Sequence, residues 1–475
     1  MIEKFNQLFD LCGSAFKQKR TLNRARKLGL GLLTCFGRHT ITGLLTATGQ
    51  QFLDWSAAYK LFKNNRMNIN SLFDVARQKT LEILPACQRI VAHLDDTLIR
   101  KKGKKIPGTA WRRDPLGPPF HPNFIWGQRF VQISLAVPQQ QGYSQSRAVP
   151  IDFHHCPSVK KPGKSAKEEE ITEFKKQNAV AKLSNQGRLR IEQLRTKLNE
   201  DGHSNKNLCI GVDGSYTNNT VLRSLPPNTT LIGRIRKDTK LYALPNSQPQ
   251  KGRKKVYGDR MPSPEQIRQS NDFEYKEIKA WAAGKVHNFK IKVVKNLKWR
   301  AAGERHVLQL IVISPLAYRL TKSSRILYRE PSYLICTDNN LNTDDLLQTY
   351  LWRWEIEVNF RDEKTLLGCG QAQVRNPQAI EKAPAFTVAM YSFLHLSSLQ
   401  ANNVRDESIF PRAKWDPAKE KQRLSTMEII NLFRLQTWSK NSKNNFSGFV
   451  EKSHDNKSRR NYDDPLLSAA FFFRK

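Results

Sequence analysis

The residues best suited to chemistry lie in YLWRWEIEVNFRDEKTLLG, residues 350–368. This stretch holds the acids Glu355, Glu357, Asp362 and Glu363 and the cations Arg353, Arg361 and Lys364. Its apolar spacing predicts one helix, opened by Thr343, Asp344 and Asp345 and closed by Gly368 and Gly370. Each helical residue advances about 100°, which puts Tyr350, Arg353, Glu357, Arg361 and Lys364 within an arc of about 80°. Glu357 is the one acid in that arc. Glu355, Asp362 and Glu363 fall on other faces and are expected to be solvated. Leu347, Leu351, Trp354 and Val358 form an adjoining apolar stripe, expected to pack on a core. One acid framed by three cations and a phenol suits a metal ligand surrounded by phosphate contacts.

A single carboxylate cannot hold a pair of catalytic ions. Mg²⁺ takes oxygen ligands, usually one or two carboxylates with water and substrate phosphates. Two ions about 4 Å apart activate a water or a 3′-hydroxyl and stabilise the leaving oxygen. Two more acids stand where apolar strands end, Asp96 in RIVAHLDDT (89–97) and Asp213 in NLCIGVD (207–213). Asp95 adjoins Asp96 but points to the opposite face of a continuing strand. An Asp after a strand is by itself more often a turn or cap residue. The combination with the helical arc raises both acids to candidates.

The spacing Tyr350-x₂-Arg353-x₃-Glu357-x₆-Lys364 resembles the Y-R-E-K signature of DDE transposases of bacterial insertion sequences, the insertion-sequence-four-like group. The strand-end acids come in the order of that family, and Thr97 after Asp96 supplies its D-T pair. The resemblance covers about 85–375. It implies an α/β protein with an RNase-H-like mixed-sheet catalytic core, interrupted by a β-rich insertion, with helical N- and C-terminal domains. It implies Asp96, Asp213 and Glu357 as catalytic ligands of two Mg²⁺ ions, for which Mn²⁺ substitutes. Tyr350, Arg353 and Lys364 are then phosphate contacts at a transposon end, assisted by Arg361. The implied partners are double-stranded DNA, as transposon ends and as target, and a second copy of the chain in a synaptic homodimer. The implied location is the bacterial cytoplasm, on the nucleoid when DNA is bound. Some members flip a base onto an aromatic residue. Tyr333 occupies that place in SYLICTD, with Trp299 and Trp281 as rivals. Gly-Ser-Tyr after Asp213 stands where some members carry Arg-Glu, so a hairpin intermediate does not follow. A nuclease that cuts without integrating, and a catalytically silent DNA-binding descendant, are the alternatives.

The elements that must position these residues follow from pattern. Residues 1–85 show apolar residues at helical spacing, as in FLDWSAAYKLF, with interleaved cations, and are expected to form a helical DNA-binding domain. Residues 86–244 carry strand patterns at 89–97, 130–137, 147–156, 207–213 and 229–244 and a helix around Ile191, Leu194 and Leu198. Residues 245–331 form the β-rich insertion, where NFKIKVVKNLKW and RHVLQLIVISP read as an antiparallel hairpin. Residues 332–375 return to the core as a last strand and the catalytic helix. Residues 376–475 are a helical, basic region suited to dimerisation.

Composition agrees with a polyanion as partner. The 475 residues hold 79 Lys and Arg against 42 Asp and Glu, a formal net charge of +37. That excess repels itself unless nucleic acid or an anionic surface neutralises it. No apolar run reaches the roughly 18 residues of a membrane span. The seven cysteines include no C-x-x-C pair and read as reduced thiols. His154, His155 and Cys156 are consecutive in a strand, alternate between its faces and read as packing.

Overall fold

The computed structural model describes residues 1–441 apart from 51–53, 86–88, 115–116, 118–122, 140–141, 248–251, 322 and 402–422. Much of the C-terminal region 376–475 therefore lies outside the described residues. Five helices come first: α1 (Ile2–Leu11), α2 (Lys19–Thr34), α3 (Ile41–Ala47), α4 (Ser56–Lys63) and α5 (Ile69–Ile83). Four strands follow, β1 (Arg89–Arg100), β2 (Ala110–Arg113), β3 (Phe124–Pro138) and β4 (Ser146–Cys156). Helices α6 (Glu168–Ala181) and α7 (Leu183–Glu200) lead to β5 (Asn207–Val212), the short α8 (Asn219–Leu222) and β6 (Thr229–Arg234). Next come β7 (Tyr242–Ala243), α9 (Pro264–Gln269), β8 (Lys276–Ala282), β9 (Lys285–Lys298), β10 (Leu308–Ile313), β11 (Leu316–Tyr318), β12 (Leu327–Arg329) and β13 (Ser332–Cys336). Helices α10 (Thr343–Trp352), α11 (Trp354–Thr365), α12 (Pro377–Gln400) and α13 (Thr426–Asn441) complete the described chain.

One sheet runs through the molecule in the order β2-β3-β1-β5-β6-β13-β10-β9-β7, with β4 paired to β3 and β8 to β9. β1, β5 and β6 are mutually parallel, and β3 and β4 continue antiparallel on the far side of β1. Parallel strands are covered on both faces, and alternation along β1 shows it. Ile90, Ala92 and Leu94 join a cluster with Ile191, Leu194 and Leu198 of α7. Val91 packs against the opposite cluster, built on Leu346 and Leu347 of α10.

The expected hairpin of 288–314 is β9 paired antiparallel to β10. Its strands extend the same sheet through β13, which is antiparallel to both β6 and β10. The run expected as one strand over 229–244 divides, because β6 stops at Arg234 and β7 holds only two residues. The N-terminal helices share one core with α12: Phe5, Phe9 and Phe73 lie in a cluster with Phe386, Phe393 and Phe433. Phe9 meets Phe393 edge-on at 5.5 Å. Gly29 lets α12 come close, since a Cβ there would stand 2.6 Å from Met390 Sδ.

The helix expected over 343–368 is two. Asn342 caps α10 by accepting from the Asp344 amide, and the helix is interrupted at Arg353. There the Arg353 amide donates to Tyr350 O and the Ile356 amide to Arg353 O, both at 3.1 Å. These three-residue spans tighten the turn and shift the phase of α11. The expected faces therefore change. Leu347 is buried, Leu351 and Val358 are half-buried, and Trp354 is exposed. Ile356 and Phe360 take the core positions of α11. Asp362 and Glu363, expected in solvent, are buried, and Glu355 pairs with Arg423 at 2.9 Å.

Candidate active site

The site begins with the register of two parallel strands. β1 and β5 pair from Arg89↔Asn207 to Leu94↔Val212, so Asp95 and Asp213 are the next residue on each neighbour. Residues opposite one another on parallel strands point the same way. Asp95 shares its face with Val91 and His93, the face covered by α10 and α11. Asp96 shares its face with Leu94 and the α7 side. Of the two, Asp95 and not the expected Asp96 is turned toward Arg353 and Glu357.

Contacts bear out that division. The Arg353 guanidinium reaches Asp95 Oδ2 at 3.0 Å through Nη1 and Glu357 Oε1 at 2.9 Å through Nη2. Asp96 instead accepts from the Tyr216 hydroxyl at 3.1 Å and pairs with Arg129 Nε at 3.2 Å. Tyr216 is buried against Gly187 of α7, where a Cβ would stand 2.5 Å from its ring. Burial, and after it the charge of Asp213, raise the Asp95 carboxyl to about 7 against the opposing pull of Arg353. Burial also raises Asp96, against the pull of Arg129 and the Tyr216 hydrogen bond. Asp213 closes its own turn, accepting from the Ser215 amide at 2.8 Å.

The other helix residues take separate places. The Arg353 guanidinium lies 5.7 Å from the centre of the Tyr350 ring, so Tyr350 forms a wall of the same site. Lys364 donates to Thr97 Oγ1 at 2.6 Å, two residues along β1 from Asp95 on the same face. Arg361 is turned outward and pairs with its neighbour Asp362 at 2.9 Å. Thus Tyr350, Arg353, Glu357 and Lys364 follow one side of the β1 edge, and Arg361 does not join them.

Behind this edge lies a polar layer that the sequence pattern did not reveal. Asn359 donates to Ala148 O at 3.1 Å and accepts from Tyr391 at 3.0 Å. Glu363 is buried beside Gln132, and burial raises its carboxyl to about 8. His93 is fully buried under Asp95, and burial together with Arg353 lowers its imidazole to about 3. Gly211 makes room for it, since a Cβ there would stand 2.7 Å from Nδ1.

Tyr333 is buried, and its hydroxyl donates to Glu265. One edge of it lines a cavity of about 760 Å³ together with Trp299, Arg234, Arg236 and Arg268. Gly214, next to Asp213, is among the residues that line it. Trp281 lies away from it, where its backbone brackets Gln348 of α10. His155 lies tilted against the Phe130 ring at 4.9 Å and Cys156 is buried, as packing residues.

Asp95, Asp213 and Glu357 offer hard oxygen donors of the kind Mg²⁺ prefers. Asp95 and Glu357 already share one cation, the Arg353 guanidinium, which marks the place as one that attracts positive charge. Among the described residues no three His, Cys, Asp or Glu side chains converge closely enough to hold an ion as they stand. Among the described residues no helix is long and apolar enough to cross a membrane.

Residues 13–288 match the family described as DDE superfamily endonuclease. The matched span includes both strand ends and therefore Asp95, Asp96 and Asp213. Helix α11 with Glu357 lies beyond it. No curated protein matches the chain. With more than half of its 475 residues matched, the chain belongs to the DDE superfamily endonucleases.

Proposed function

We propose that this endonuclease is a transposase of the insertion-sequence-four-like group, which binds transposon-end inverted repeats, cuts them and transfers the strands to target DNA. The observation that carries the reading is the placement of Asp95 and Asp213 side by side, just past the last paired residues of β1 and β5, with Arg353 linking Asp95 to Glu357. The strand order β4-β3-β1-β5-β6, with only the last three parallel, supports an RNase-H-like core. The strands from β8 to β12 then form its insertion, and the helices before β1 and after α11 its flanking parts.

Asp95, Asp213 and Glu357 would hold the divalent ions, Mg²⁺ with Mn²⁺ as substitute. Bound ions would activate a water or a 3′-hydroxyl for in-line attack on phosphorus and stabilise the leaving oxygen. The chain's own groups orient the DNA. Arg353 and Lys364 present cations to phosphates along the β1 edge, and Tyr350 fixes the Arg353 plane from beneath. Asp96 acts from the other face, through Arg129 and Tyr216, to fix the end of β1. The cavity between β6, α9 and β13 offers cations and the Trp299 ring to an unpaired nucleotide. Tyr333 is a lesser candidate for that contact, because Glu265 holds its hydroxyl. The active form is a homodimer on DNA in the bacterial cytoplasm.

An assay of end-bearing DNA with Mg²⁺ and a target plasmid tests this. Cleavage with strand transfer supports the transposase, cleavage alone the nuclease without integration, and binding alone the silent descendant. Glu357→Gln should abolish both reactions while retaining DNA binding.

A further inference from the structure

We propose that Arg353 is an internal counter-ion, which holds Asp95 and Glu357 in the resting protein and must leave them before a divalent cation binds. The inference rests on the reading of these two acids as metal ligands. Its ground is the bridge itself: one guanidinium spans the two carboxylates, at 3.0 Å and 2.9 Å, through two different nitrogens. Mg²⁺ requires its oxygens about 2.1 Å from one centre. A planar group placed between the acids occupies that centre and keeps their oxygens apart.

The arrangement is internal. The Arg353 side chain is 13% exposed, and its Nε has no hydrogen-bond partner in the structure. Removing it without replacement would leave two partly buried carboxylates, 14% and 34% exposed, facing one another, which is unfavourable. Replacing one cation by another avoids that cost, so metal entry and guanidinium exit are coupled. The backbone is suited to such a movement. Arg353 is the residue where α10 ends and α11 begins, joined by tight three-residue hydrogen bonds on both sides. A turn of this kind inside a helix is a common hinge. The released guanidinium, always charged and planar, is matched to a DNA phosphate. The protein would thus take metal poorly until DNA offers Arg353 another partner.

The test is Mn²⁺ titration of the full chain without DNA, by calorimetry and by the electron paramagnetic resonance signal of free Mn²⁺. Arg353→Gln should bind Mn²⁺ about tenfold tighter than the unsubstituted protein, a change of about 1.4 kcal/mol. The gain should vanish in the Arg353→Gln/Glu357→Gln double variant. Arg353→Lys, whose ammonium cannot span both acids in the same way, should fall between. Thermal melting supplies a second readout. Arg353→Gln should melt lower than the unsubstituted protein without Mn²⁺ and gain more from adding it. Equal or weaker Mn²⁺ binding in both Arg353 variants, with Glu357→Gln still reducing it, overturns the counter-ion role and leaves the ligand reading intact. Mn²⁺ binding indifferent to both Asp95→Asn and Glu357→Gln overturns the ligand reading, and the inference with it.

Discussion

Asp95 and Asp96 are consecutive, joined by a hydrogen bond from the Asp96 amide to Asp95 Oδ1 at 2.8 Å, yet they serve opposite faces of β1. Their substitutions should therefore differ in kind. Asp95→Asn should lower the rate of DNA cleavage by about 100-fold or more, as expected when a group acting directly on the reacting centre is lost. Asp96→Asn should cost about tenfold, the usual scale for a residue that supports a ligand from behind. Single-turnover cleavage rates decide it. A larger loss for Asp96→Asn would return the ligand role to that residue.

Glu363 predicts a pH dependence of stability. Its folded carboxyl is raised to about 8 from 4.5 by burial. Between those values the folded state binds a proton that the unfolded state has released, so stability falls as pH rises. The contribution is fully present below pH 4.5 and is lost as pH passes through about 8. Glu363→Gln keeps the shape without the charge and should flatten the slope. Scanning calorimetry of both proteins at pH 5.5 and pH 8.5 (about one unit above and about half a unit above those two limits) measures the difference. An unchanged slope would mean that Glu363 is charged in the fold.

Lys364 and Arg361 should separate by position. Lys364 lies on the β1 edge at Thr97, whereas Arg361 faces outward with Asp362. Lys364→Ala should reduce the salt slope of end binding by about one, the signature of one lost phosphate contact. Arg361→Ala should leave that slope nearly unchanged. Binding isotherms across a series of salt concentrations check both.

The shared core of α12 and the N-terminal helices predicts joint unfolding. Phe9→Ala deletes a ring packed against Phe5 and Phe393 and should cost about 3–5 kcal/mol. A single denaturation transition, moved as a whole, is expected. A fragment of residues 1–85 should lack a stable fold, because its apolar face is covered by α12. Circular dichroism of the fragment tests this.

Trp299 and Tyr333 line one cavity but are held differently. Trp299→Ala should weaken binding of an end carrying an unpaired base by about 1–3 kcal/mol, the worth of one base stack. Tyr333→Phe should leave that binding unchanged and lower the melting temperature, since Glu265 loses its hydroxyl partner. Fluorescence titration with paired and unpaired ends distinguishes them.

Much of the site was written in local sequence. An apolar run that ends in an acid marked the end of β5 at Asp213, whereas β1 runs past Asp95 and Asp96 to Arg100 and only its pairing with β5 stops before them. The helical arc selected Tyr350, Arg353, Glu357, Arg361 and Lys364, of which all but the outward Arg361 lie over one face of β1 in the folded chain. Helix periodicity also marked 1–85, and alternation marked the β9–β10 pair. The tertiary structure decided what periodicity cannot carry. Which of two adjacent acids faces the helix depends on the pairing of Leu94 with Val212, a contact across more than 100 residues of chain. The tight turn at Arg353 shifted the phase of α11, exposing Trp354 and burying Glu363, because an angle counted along one ideal helix fails at a break. The pairing of Arg353 with both Asp95 and Glu357 exists only once strand and helix have met, since a charge finds its partner through the fold and not through spacing alone.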